Sequence, residues 1–170
     1  EGVCTFYSEI AAAFPRLGIL IAMVSGSGLP AGKEEYWPRV LRRLAQLPNV
    51  LGFEDSSGLL DESFLGADPA GSKVSIVDAV SAGQWALPDN FLWVARGEGH
   101  AVSALPAGAR AVTSAVSVFA PDAARAFWRY GTGSQVPLMK QVLRERLEPF
   151  SSIRGIQPWY GVAGLKAVME

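Results

Sequence analysis

Cysteine, histidine and net charge are scarce in this chain, and each shortage removes a class of function. Cys4 is the only cysteine and His100 the only histidine among 170 residues. An intramolecular disulfide and a cysteine-based zinc site are thereby excluded, and nothing signals an oxidising compartment, so a cytoplasmic location is the expectation. Lys plus Arg (15) and Asp plus Glu (16) nearly cancel, which gives no electrostatic reason to expect nucleic acid or an anionic membrane as partner. No apolar run approaches the ~18–20 residues of a membrane helix, since residues 17–24 are closed by Ser25 and Gly26. The chain opens on Glu1 with no signal-like segment, so the beginning of the fold is expected to lie outside it.

What is present is a core. Apolar residues make up 49% of the chain, enough for one globular domain that handles small molecules or protein surfaces. Residues 1–14 carry a helical apolar stripe ended by Pro15. Residues 17–24 are a continuous Ile/Leu/Val run, the pattern of a parallel strand buried on both faces, followed by a glycine-rich loop from Ser25 to Gly32. Residues 33–47 form an amphipathic helix with Val40, Leu41, Leu44 and Leu47 on its buried side. A strand at 49–53 follows directly, and strand, helix, strand is the unit that calls for a parallel sheet with right-handed crossover. Further strands are expected at 91–95 and 111–118, with a short helix opening at Val102. Residues 74–87 allow a helix. Helices are expected from Pro121 to a stop at Gly131-Thr132-Gly133, over 136–150 and over 161–170.

The stretch Leu47-Pro48-Asn49-Val50-Leu51-Gly52-Phe53-Glu54-Asp55-Ser56-Ser57-Gly58 organises the rest. It reads as a short buried strand with a polar, turn-forming tip, which sets Glu54 at the strand's carboxyl end. In parallel α/β proteins that end faces the ligand.

The same stretch resembles the sixth barrel strand of the dihydrodipicolinate synthase and N-acetylneuraminate lyase family of class I aldolases, where Ile-Pro-Asn leads into Val-Val-Gly-Ile-Lys-Asp-Ser-Ser-Gly. Ala111-Val112-Thr113-Ser114-Ala115-Val116-Ser117-Val118-Phe119-Ala120-Pro121 is similar to that family's eighth strand and loop. Residues 91–99 resemble its seventh strand, and residues 160–167 its final helix. The resemblance implies a (β/α)8 TIM barrel, an α/β fold, of which this chain would supply strands five to eight plus carboxyl-terminal helices. It divides the chain into a half barrel over 1–120 and a helical extension over 121–170 packed on the same domain. It also implies lyase or aldolase chemistry on pyruvate or a related 2-oxo acid with no metal or other cofactor, and an oligomer or a complementary half-barrel chain as partner.

Two departures bear on chemistry. The family's lysine, which forms the imine with pyruvate, falls on Glu54, and a carboxylate cannot form an imine. The family's Tyr-Asn-Val-Pro-Gly is replaced by Ala22-Met23-Val24-Ser25-Gly26, and no arginine stands among Ser27, Gly28 and Leu29 to hold a substrate carboxylate. Glu54 is therefore the candidate catalytic residue, as a general base in a lysine-free enzyme. Ser25, Gly26, Gly97, Glu98, Thr113 and Ser114 are the candidate substrate-binding residues at the neighbouring tips.

Other readings stand beside this one. Glu54 also fits a residue that has drifted, paired with an arginine, in a barrel kept for binding or assembly. Glu54, Asp55, Glu98 and His100 would come near one another in barrel order, which opens a divalent metal site as a further possibility. A serine triad is disfavoured, because no Gly-x-Ser-x-Gly elbow surrounds Ser56, Ser57 or Ser114. A nucleotide-binding α/β module would use the loop Gly26-Ser27-Gly28-Leu29-Pro30-Ala31-Gly32, but its glycine spacing and Pro30 do not set amides against a pyrophosphate.

Overall fold

Four parallel strands lie side by side in chain order, β1 (Ile19–Ala22), β2 (Val50–Asp55), β3 (Leu92–Arg96) and β4 (Ala111–Thr113). The computed structural model describes residues 2–22, 36–55, 76–81, 83, 86–114 and 116–149. Helices α1 (Gly2–Ala13), α2 (Tyr36–Leu44), α3 (Ile76–Ser81), α4 (Glu98–Ala104), α5 (Pro121–Thr132) and α6 (Val136–Val142) precede, separate and follow the strands. A sequential parallel order with no reversal is that of a barrel wall. A doubly wound nucleotide-binding sheet reverses its order at a switch point, and no reversal occurs among these strands.

Register sorts the side chains by face. Ala22 is opposite Glu54, Glu54 opposite Val94 and Val94 opposite Ala111. One rung on, Asp55 lies opposite Ala95, and Ala95 opposite Val112. Because side chains alternate along a strand, Leu20, Ala22, Glu54, Arg96 and Thr113 share one face, while Ile21, Phe53, Asp55, Trp93 and Ala95 share the other. The second face holds the core: Ile21, Phe53, Asp55, Trp93 and Ala95 are all buried. On the first face Leu20 is 45% exposed, and Ala22 and Thr113 are also exposed. This is the concave side of a barrel wall, seen without the opposite strands.

The covered face is an aromatic stack. The rings of Phe53 and Trp93 lie 6.4 Å apart at 8°, and those of Phe53 and Phe91 5.9 Å apart at 24°. Leu41 and Leu44 of α2 are fully buried and join the same core. Gly52 is required in β2, since a Cβ there would fall 2.0 Å from the Leu92 carbonyl oxygen. Asn49 ties two elements together: its amide donates to the carbonyls of Ala11 (3.1 Å) and Phe14 (3.0 Å). It thereby satisfies the open end of α1 and pins that helix to the start of β2.

Helix α5 begins with Pro121 at its amino end and Asp122 in its first turn, where a missing amide and a negative charge both suit a helix start. Its buried stripe is Ala123, Phe127 and Gly131, spaced four apart as one helical face requires.

Several boundaries differ from the sequence expectation. The strand expected over 111–118 ends at Thr113, and Val116–Val118 is a 3-10 turn. β-branched residues there satisfy strand propensity, but the Ser117 amide turns back onto the Ser114 hydroxyl (3.0 Å) and breaks the ladder. The helix expected to open at Val102 begins at Glu98. The helix expected over 136–150 is α6 followed by a π-helical turn at Leu143–Leu147. The possible helix over 74–87 is present as Ile76–Ser81. Ser25, Gly26, the glycine loop and the helix expected over 161–170 lie outside the described residues.

Candidate active site at the strand tips

Glu54 is the last but one residue of β2 and lies half-buried on the concave face. Its Oε1 accepts a hydrogen bond from the Thr113 hydroxyl at 2.6 Å. Thr113 belongs to β4, and β3 runs between the two, so the pair bridges the top of the intervening strand. Val94, the β3 residue in register with Glu54, is only 3% exposed on the same face. Arg96 lies on the same face, in register with Thr113. A carboxylate held this way keeps its second oxygen for a proton or a ligand.

Asp55, the next residue, turns to the covered face. Its Oδ2 meets His100 Nε2 at 2.9 Å and Trp93 Nε1 at 3.1 Å. The indole can only donate, so Oδ2 accepts from it while the same oxygen lies within hydrogen-bond distance of His100 Nε2. The Asp55 side chain is 0% exposed and that of His100 is 2% exposed. Burial of this kind makes the contact dependent on both partners. It fastens α4, which carries His100, behind the tip that carries Glu54.

Glu98 makes a third pair. Gly97 stands before it with φ 79°, a conformation that favours glycine, and its amide donates to the Thr113 carbonyl at 2.9 Å. The chain thus leaves β3 sharply and enters α4 with Glu98 in the first turn. The Glu98 carboxylate accepts a short hydrogen bond from the Ser114 hydroxyl. That hydroxyl accepts in turn from the Ser117 amide, while Ser117 Oγ donates to the Ser114 carbonyl at 2.7 Å. A hollow of about 140 Å³ opens beside this pair, with Glu98, Ser114 and Ser117 on its polar side and Val112, Phe127 and Trp128 on its apolar side. A larger, shallower hollow of about 430 Å³ lies between Phe119–Ala123 and Glu145–Pro149 and is lined by none of the strand tips.

Acidic and histidine side chains that were expected to gather therefore divide into three pairs. Glu54 joins Thr113, Asp55 joins His100, and Glu98 joins Ser114. Alternation along β4 sends Thr113 to the concave face and Ser114 to the other. The expected approach of Asp55 and His100 to Glu54 is corrected: strand parity turns Asp55 away. Among the described residues no group of three or more His, Cys, Asp or Glu is arranged to hold a metal ion. Sequence reasoning missed Trp93, whose indole completes the Asp55 contact. Parity offered a signal for Trp93, two residues before Ala95 on the same face.

No family model matches the chain. Over 166 residues it is 28% identical to 5-dehydro-4-deoxyglucarate dehydratase 2 of Streptomyces coelicolor, covering 91% of this chain and 46% of that protein. Over 142 residues it is 32% identical to the Streptomyces avermitilis protein of the same name, covering 80% of this chain and 37% of the relative. The chain thus spans less than half the length of these curated relatives. Among solved structures, dihydrodipicolinate synthase from Bacteroides thetaiotaomicron superposes with a TM-score of 0.69 at 14% identity, covering 98% of this chain and 50% of that one. A Thermus thermophilus structure described as a dihydrodipicolinate synthase gives a TM-score of 0.57 at 22% identity, covering 84% of this chain and 42% of that one. The solved structures establish the barrel wall, and the curated relatives carry the sequence relationship. No described helix is long and apolar enough to cross a membrane.

Proposed function

Because the chain corresponds to the carboxyl-terminal half of a barrel of the dihydrodipicolinate synthase family, we propose that it belongs to a lyase acting on a 2-oxo acid, with Glu54 as general base and no imine. The observation that carries this reading is the placement of Glu54 at the tip of β2, on the concave face, held by Thr113 at 2.6 Å. Substrates of the kind named for the Streptomyces relatives, deoxy sugar acids bearing an oxo group, lose water by acid–base steps. Glu54 would take a proton from the carbon beside the oxo group, leaving an enolate. It would then return that proton to the departing β-hydroxyl, so that the substrate loses H and OH as water and the carboxylate is regenerated. Thr113 keeps the base in place, and the Gly97 turn together with Ser25 and Gly26 would form the rim around the substrate. Pyruvate, the smallest 2-oxo acid, would undergo the first step alone.

A complementary half barrel or a second copy of the chain would pair with the edges of β1 and β4 and cover Leu20. A cytoplasmic place suits such an enzyme.

The reading is tested by borohydride trapping. Incubation with pyruvate and borohydride, followed by mass spectrometry, should leave the protein without an adduct, because among the described residues no lysine stands on a strand: Lys140 is on α6, and Lys33, Lys73 and Lys166 lie outside the described residues. The Glu54→Lys variant restores an amine at the tip and should gain one pyruvyl group. A stoichiometric adduct on the unaltered protein would overturn the imine-free reading. The second reading, a barrel kept for binding or assembly, is favoured by the same hydrogen bond if its role is only to hold the tips together, and it requires that Glu54 exchange no protons with a 2-oxo acid.

A further inference from the structure

The hollow beside Glu98 is built from parts that the Glu54 chemistry does not use. Glu98 is 6% exposed, yet neither described ion pair includes it. Ser114 satisfies Oε1, and no described side chain bonds to Oε2. A buried carboxylate is costly unless charge or hydrogen bonds answer it. Ser114 answers one oxygen, and Glu98 itself lines the hollow.

That space has a definite chemistry. Its volume is about 140 Å³, whereas a single water needs only ~10–15 Å³ on the same measure. The rest of the lining beyond the two serines is apolar and aromatic, with Phe127 buried and Trp128 44% exposed. Trp128 directs its Nε1 away, toward the Arg110 carbonyl at 3.3 Å. Neighbouring cations on α5 are engaged elsewhere: Arg125 pairs with Asp122, and Arg129 lies over the Tyr130 ring. Among the described residues no lysine or arginine lines the hollow. A carboxylate facing aromatic rings across a small cavity is the recognition chemistry of an organic cation.

We propose that this hollow binds a small primary ammonium compound with a short apolar tail, its ammonium group on Glu98 and Ser117 and its tail against Val112, Phe127 and Trp128. The site is on the helix side of β4, opposite the face that carries Glu54, and it does not depend on the proposed reaction. An ammonium group has three donors, which the free Glu98 oxygen and the Ser117 hydroxyl oxygen can accept. The tail replaces water against the aromatic wall.

The test uses ethylammonium chloride as probe, followed by saturation-transfer NMR and by tryptophan fluorescence, with sodium chloride at equal ionic strength and ethanol as the neutral counterpart. The expected result is saturable binding of ethylammonium and none of ethanol. Glu98→Gln keeps an oxygen for Ser114 but removes the charge, and should weaken binding about tenfold or more. Ala124→Leu fills the hollow from α5 without changing any charge and should also remove binding, which keeps the test decisive if Glu98→Gln does not fold. Glu54→Gln should leave the affinity unchanged. The proposal is overturned if the unaltered protein shows no saturable signal, if ethanol binds as well, or if folded Glu98→Gln or Ala124→Leu binds like the parent. Loss of binding in Glu54→Gln would likewise overturn it, by moving the cation to the other face.

Discussion

Glu54 on β2 and Thr113 on β4 are joined by a 2.6 Å hydrogen bond that passes across the strand between them. Two tips separated in sequence are thereby held as one unit, and the carboxylate's direction is set by a hydroxyl 59 residues away. Thr113→Val keeps the shape and removes only that hydroxyl. If Thr113 positions the base, the variant should lower kcat for proton exchange about tenfold with little change in KM, and Thr113→Ser should restore most of the loss. A change in KM alone would assign Thr113 to substrate binding.

The pair Asp55 and His100 should dominate the stability of the tips. Removing one partner takes a buried contact from the other, and Asp55→Ala also takes the acceptor from the Trp93 indole, so His100→Ala should cost about 3 kcal/mol in urea unfolding and Asp55→Ala at least as much. The double variant should cost much less than the sum, because the two share one contact. Additive losses would show that the contact does not couple the two residues.

Gly52 and Gly131 separate rigid from yielding neighbours. A Cβ at Gly52 would stand 2.0 Å from the Leu92 backbone oxygen, whereas at Gly131 it would meet the side chains of Leu105 and Met139 at 2.4 and 2.7 Å. Backbone in a paired strand cannot step aside, so Gly52→Ala should cost more than ~3 kcal/mol or prevent folding. Gly131→Ala should cost ~1–3 kcal/mol as the side chains shift. Urea denaturation of the two variants measures the difference.

Much of the barrel wall was legible in local pattern, because each strand is a run of β-branched or aromatic residues bounded by glycine, proline or polar turns. The order followed from strand, helix, strand alternation, and Glu54 fell at a tip as its position after Phe53 required. What local pattern could not give is which tip residues meet. Asp55 and Glu54 are adjacent in sequence but face opposite ways, so closeness along the chain misled the grouping of Asp55 and His100 with Glu54. Val116 and Val118 read as strand on propensity, yet the hydrogen bonds between Ser114 and Ser117 coil them into a turn. Asn49 stands in the sequence just ahead of β2, but its bonds to Ala11 and Phe14 span 38 and 35 residues and belong to tertiary structure.

Glu54 as the base is tested most directly by deuterium exchange into the methyl group of pyruvate, followed by proton NMR in heavy water at neutral pH. The unaltered protein should exchange the methyl protons catalytically and without a borohydride-trappable adduct. Glu54→Gln, which keeps an oxygen for Thr113 but is no base, should be slower by about 100-fold or more. Equal rates for the two proteins, or no exchange above buffer in either, would contradict the assignment of Glu54 as the base.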